Sequence, residues 1–171
     1  MTEDNKTYVG YVWMNNETIL EVGKFAILWN VFEEWRCKCN CSHEKIKEVV
    51  DDVMRIRAIV GKREEEDAFI NFATELAKRA KKLEISVEEC VRTKLYPTDD
   101  KRAKISKIGQ EVYMAKVIEF INSGGKNALD GALLAIWRIR NNMFHGLKGH
   151  SVLDEQIELF RAMNAVLEEA K

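Results

Sequence analysis

The sequence is poor in the two residues that break helices. It holds one proline and nine glycines in 171 residues, roughly half the combined share of an average chain. Many short strands joined by tight turns would need more of both, so an all-β domain is excluded at the outset. A run of about eighteen apolar residues is also lacking, and with it a membrane-spanning segment. Residues 1–8 carry Glu3 and Asp4 and no apolar core, so no secretory signal is legible there. The expected location is cytoplasmic. Charge of one sign is missing as well. With 27 Lys+Arg against 28 Asp+Glu the formal net charge is −1, which argues against a uniformly basic nucleic-acid binder and against an acidic disordered tail.

What is present is helical periodicity. Hydrophobic residues make up 46% of the chain and charged ones 32%, the balance of an amphipathic helical globule. Length suits one domain over residues 1–171. The stretch Tyr8–Trp13 alternates weakly and reads as a short strand or an ordered arm. Beyond it Ile19, Val22, Phe25, Ala26, Trp29 and Phe32 recur at helical spacing, predicting a helix from about Glu17 to Trp35 capped by Asn15 or Asn16. Ser42 is placed to cap a second helix with Ile46, Val49, Val50, Val53, Ile56 and Val60 inward and Gly61 as terminator.

Five more segments follow the same logic. Ala68, Phe69, Phe72, Ala73, Leu76 and Ala80 form one stripe, and Glu64–Asp67 before it suits the positive end of a helix. Ser86 and Glu89 have capping-box spacing for a short helix ending before Pro97. Asp99 or Asp100 should start a helix with Ile108, Val112, Ala115 and Ile118 inward, stopped by Ser123-Gly124-Gly125. Asn127 with Asp130 opens the most apolar helix, carrying Leu129, Ala132, Leu133, Ile136, Trp137 and Phe144. Ser151 with Asp154 begins the last, with Ile157, Phe160, Met163, Val166 and Leu167. The fold class expected is an all-α bundle of five or six main helices.

The near-neutral total hides a polarised chain. Between Lys101 and His150 nine Lys/Arg face three acids, a net of +6, which leaves −7 for the rest. Such asymmetry points toward a polyanionic partner, with solvated helix faces as the ordinary alternative.

Two clusters could carry chemistry. Cys37, Cys39, Cys41 and His43 lie within seven residues, but structural zinc sites place two or more residues between paired cysteines and draw on a second pair downstream. Cys90 stands alone. The three cysteines are too tightly clustered to pair well among themselves, and reduced thiols are expected; no metal and no cofactor is assigned. The acidic pair Glu33-Glu34 ends the first helix, with one carboxylate able to face a site and the other water.

The second cluster is Arg138-Ile139-Arg140-Asn141-Asn142-Met143-Phe144-His145-Gly146. Two asparagines, an arginine and a histidine at the end of the most apolar helix are costly unless paired or exposed in a cleft. Asn141 and His145 are four apart and share a helix face. A satisfied polar patch, with His145 near the helix C-terminus, is the structural alternative.

Arg140-Asn141-Asn142-Met143-Phe144-His145 resembles the Arg-x4-6-His signature of HEPN domains, the all-helical "higher eukaryotes and prokaryotes nucleotide-binding" superfamily. An apolar residue precedes the His, Gly146 follows it, and one further helix comes after, as in that family. Phe25–Trp35, with Trp29 and Glu33, is similar to its first helices. The resemblance implies a HEPN-like bundle acting as a metal-independent endoribonuclease of toxin or defence type, in a homodimer with two motifs facing one cleft. His145 would be the general acid or base, Arg140 would hold the scissile phosphate, and Asn141 would orient one or the other; Arg138, Asn142 and Lys148 would flank them on RNA. The implied products are a 2′,3′-cyclic phosphate and a 5′-OH.

Physical chemistry agrees with these roles. Histidine exchanges protons near neutral pH, arginine's planar fork matches phosphate, and a nearby guanidinium favours the neutral, basic imidazole. A subgroup controlled by a nucleotidyltransferase antitoxin has Tyr two residues after the His. Leu147 stands there in this chain, so an antitoxin or other regulatory partner is left open. His150 could participate only if the loop folds back. The alternatives are a non-catalytic HEPN-like module that binds nucleotide or protein, and a helical scaffold for oligomerisation.

Overall fold

A computed structural model describes residues 5–9, 12–61, 67–95, 107–144 and 151–171. The chain opens with a hairpin, β1 (Lys6–Val9) paired antiparallel with β2 (Val12–Asn15). Eight helices follow among the described residues: α1 (Asn16–Trp35), α2 (His43–Val60), α3 (Ala68–Lys82), α4 (Val87–Cys90), α5 (Lys107–Asn122), α6 (Leu129–Phe144), α7 (Ser151–Asp154) and α8 (Ile157–Ala170). A π-helical turn, Val91–Leu95, extends α4. Six of the helices are long, so the chain is mostly helical, as its composition demands. None of the described helices is long and apolar enough to cross a membrane.

Local signals set most boundaries. Asn15 Oδ1 accepts from Glu17 N at 3.0 Å and starts α1. Ser42 Oγ accepts from Lys45 N at 3.3 Å to start α2, and Gly61 ends it with φ +66°. Asp67 caps α3 through Phe69 N and Ile70 N, and Ser86 caps α4 through Glu89 N. Each cap satisfies an otherwise orphaned donor of the first turn. The last segment divides: α7 stops at Asp154, whose carboxylate accepts from Asn15 N at 3.1 Å and so ties the hairpin to the C-terminal part of the bundle.

Helix α8 runs against both α1 and α3, and α5 packs along α6, with α2 against α6 and α8. The core between them is aromatic. Phe25 meets Phe160 edge-on at 5.6 Å and Phe72 lies 5.9 Å from Phe120. Trp29, Phe32, Phe69 and Leu133 are likewise buried. At the α5–α6 crossing Gly131 lies so close to the Lys116 carbonyl that a Cβ would collide with it.

Two predicted faces are corrected. In α2, Ile46, Val49, Val50 and Val53 are buried, but Ile56 and Val60 are 59% and 71% exposed. Arg57 takes the inward place one turn after Val53. Its Nη atoms donate to both Asp67 oxygens at 2.8 and 2.9 Å and its Nε donates to Glu169 Oε1 at 2.6 Å. In α5 the buried residues are Met114, Val117, Phe120 and Ile121, while Val112 and Ala115 face outward. Apolar residues lie all round α5, so periodicity admits more than one inner face and contact with α6 selects it. The predicted start at Asp99 or Asp100, and Ile108's side chain, lie outside the described residues.

Candidate functional site

The arginine motif occupies the last turns of α6. Burial of Leu133, Ile136 and Ile139 fixes that helix in the core, and Arg140 follows directly at its edge with 29% of its side chain exposed. Its Nη1 donates to Asn141 Oδ1 at 3.0 Å. Its Nη2 lies 3.5 Å from Glu33 Oε2, the oxygen that also accepts from Trp29 Nε1 at 3.0 Å. The guanidinium carbon stands 5.8 Å from the Trp29 ring centroid, within cation–π range. Trp29 and Glu33 are one turn apart on α1, which brings both to the same face.

The cluster therefore joins two distant stretches of sequence. Buried Trp29 fixes the Glu33 carboxylate, Glu33 neutralises and orients Arg140, and Asn141 holds the other arm of the guanidinium. Of the acidic pair, Glu33 turns into the cluster with a 28% exposed side chain, and Glu34 faces solvent. Chemically, an arginine held at two points with part of its surface open can hold an oxyanion in a fixed orientation, if the anion competes with or sits beside Glu33.

Of the other sequence-predicted residues, Arg138 is half-buried on α6, about 200° round the helix from Arg140 at 100° per residue, so the two do not share a face. The side chain of Asn142 lies outside the described residues, as do His145, Leu147, Lys148 and His150. The structure thus brings together Arg140, Asn141, Glu33 and Trp29. The link from Glu33 to Arg140 spans 107 residues, and no spacing rule predicts it.

The cysteine-rich turn is corrected. Cys37 and Cys41 are joined, with Cα atoms 4.7 Å apart. Lys38 and Cys39 adopt φ of +53° and +61°, and these left-handed residues coil the turn tightly enough for the two cysteines to meet. Cys39 and Cys90 stand outside this disulfide, Cys39 exposed and Cys90 buried. His43 turns away from the cysteines: its Nε2 is 3.6 Å from Asp130 Oδ2 at the start of α6, and its ring is 5.1 Å from Tyr113. Among the described residues no three His, Cys, Asp or Glu side chains are grouped to hold a metal ion.

Comparison with protein-family models, with curated proteins and with solved structures returns no match to this chain.

Proposed function

We propose that this chain is a HEPN-like, metal-independent endoribonuclease that works in the cytoplasm as a homodimer with two Arg140–His145 segments at one cleft. The observation that carries the reading is the Trp29–Glu33–Arg140–Asn141 cluster, which aims an oriented, partly open guanidinium from the helix end immediately before His145. In the proposed reaction His145 takes the proton of a ribose 2′-OH as its oxygen attacks the adjacent phosphorus. The P–O5′ bond breaks and the leaving oxygen is protonated, giving a 2′,3′-cyclic phosphate and a 5′-OH. Arg140 stabilises the charge that develops on the phosphoryl oxygens. Supporting the dimer is the outer face of α1, the helix that carries Glu33, where Leu20 and Ile27 are 71% and 67% exposed beside Gly23.

A second reading is favoured by one specific fact. Arg140 already has Asn141 and Glu33 as partners within its own chain, as expected of a polar knot in a non-catalytic module that binds nucleotide or a protein. RNA cleavage in EDTA by the wild type, His145→Ala and Arg140→Ala, with the 3′ ends characterised, separates the two. Cyclic-phosphate products from the wild type alone support the ribonuclease. Intact RNA with all three proteins leaves the binding module as the surviving reading.

A further inference from the structure

Away from the arginine motif, a recess of 190 Å³ opens between the C-terminal half of α3 and the start of α8. Three cations and three acids line it, and all but one of these charges are engaged. Lys78 pairs with Glu75 at 2.7 Å, Lys82 with Glu155 at 2.7 Å, and Glu158 with Arg161 at 2.6 Å. The exception is Arg79. Among the described residues its side chain has no hydrogen-bond acceptor and no ion-pair partner, and its Nε is shielded from solvent. A guanidinium left without an acceptor beside a cavity calls for a missing partner.

We propose that this recess binds a small monocarboxylate, whose two oxygens meet the Arg79 fork while its apolar body lies against Leu83 and Leu159. The guanidinium's parallel N–H groups match a carboxylate bidentately. Leu159 is 5% exposed and forms an apolar floor, and Leu83 at 39% exposure stands at the mouth. The three carboxylates around the rim are each paired with a cation, so the apolar surface makes the selection between anions. Inorganic phosphate has no apolar body to set against Leu83 and Leu159, so it is the poorer ligand. Volume limits size: the recess is smaller than the roughly 300 Å³ at which drug-sized sites begin, which suits a body such as butyrate or benzoate. Glu75, Lys78 and Glu158 also line a second recess of 330 Å³ bordered by Ala162 and Ala165.

The test is titration of the full chain with benzoate, butyrate and inorganic phosphate at constant ionic strength and pH 7, followed by ligand-observed NMR. Saturable benzoate and butyrate binding is expected, with phosphate weaker. Arg79→Gln removes a cation that holds nothing else in place. It should weaken benzoate binding about tenfold or more, the usual effect of losing a hydrogen bond to a charged group, with an unchanged circular dichroism spectrum. Leu83→Trp, a surface change that fills the mouth, should do the same and serves if Arg79→Gln fails to fold. Absence of saturable benzoate binding, binding untouched by the substitutions, or phosphate binding as tight as benzoate would overturn the proposal.

Discussion

Glu33 and Arg140, 107 residues apart in sequence, meet through Oε2 and Nη2 at 3.5 Å, and the same Glu33 oxygen accepts the Trp29 indole N–H at 3.0 Å. One carboxylate oxygen thus links the ends of α1 and α6. The geometry is long for a direct hydrogen bond and both side chains are a little under one-third exposed, so the pair is expected to contribute modestly. A double-mutant cycle with Glu33→Gln and Arg140→Gln in urea should give a coupling of about 0.5–1 kcal/mol. A coupling of zero would mean that the two groups do not hold each other. In the ribonuclease reading, Glu33→Gln should also slow RNA cleavage, because Arg140 loses its orienting anion.

Arg57 carries a larger share of stability. It is 17% exposed, between Asp67 at 12% and Glu169 at 13%, with its guanidinium 4.6 Å from the Phe69 ring centroid. Arg57→Ala removes the shared cation from two largely buried carboxylates and should cost about 3–5 kcal/mol in chemical denaturation. Arg57→Met, which removes the same two ion pairs but keeps an apolar stem, should recover only the packing part.

The same site makes stability acid-sensitive. Burial acts to raise the Asp67 pKa, but the Arg57 hydrogen bond and charge, with the Phe69 and Ile70 N–H groups, outweigh it and hold the carboxyl below its ordinary 3.8. A carboxyl depressed in the folded state binds fewer protons there than in the unfolded chain. Its contribution is therefore complete above pH 3.8 and declines as pH falls through the lower folded value. Urea midpoints should drop across that acid window, and Asp67→Asn should flatten the drop while lowering stability at pH 7.

Glycines of opposite character provide a test of packing. At Gly131 an added Cβ meets the Lys116 backbone, so Gly131→Ala must push α5 from α6 and should destabilise by about 1–3 kcal/mol. At Gly23, in the middle of α1, an added Cβ meets nothing within 4 Å. Gly23→Ala should stabilise the monomer by about 0.5–1 kcal/mol through helix propensity alone. Thermal or urea unfolding of the two variants checks the sign.

Thiol reactivity should follow the pairing in the cysteine turn. In the native protein only Cys39 should react with a thiol reagent, Cys90 should join it on unfolding, and Cys37 and Cys41 should react only after reduction. Cys41→Ser should cost about 2 kcal/mol, the loop-entropy value for so short a ring. Four thiols titrating in the unreduced, unfolded chain would contradict this pairing.

Helix positions and caps were legible because they are local. Asn15, Ser42, Asp67 and Ser86 act within three residues of themselves; α3 buries every residue of its predicted stripe, and α8 all of its own but Ile157, which is half-buried. Faces were less legible. A helix with apolar residues all round it, such as α5, has no unique inner side, and in α2 a buried ion pair drew Arg57 inward and left Ile56 and Val60 outside. The tight cysteine turn was misread because spacing does not reveal left-handed backbone at Lys38 and Cys39.

Scarcity of proline and glycine, with apolar residues at helical spacing, determined by itself that this chain is a helical bundle, since both act through backbone conformation and local burial. The sequence also singled out Arg140 and Asn141 at the end of the most apolar helix. Only the tertiary structure decided which anion Arg140 faces and that, among the described residues, Arg79 lacks one. Ion pairing depends on distances of a few ångströms between helices, and one-dimensional spacing does not encode those distances.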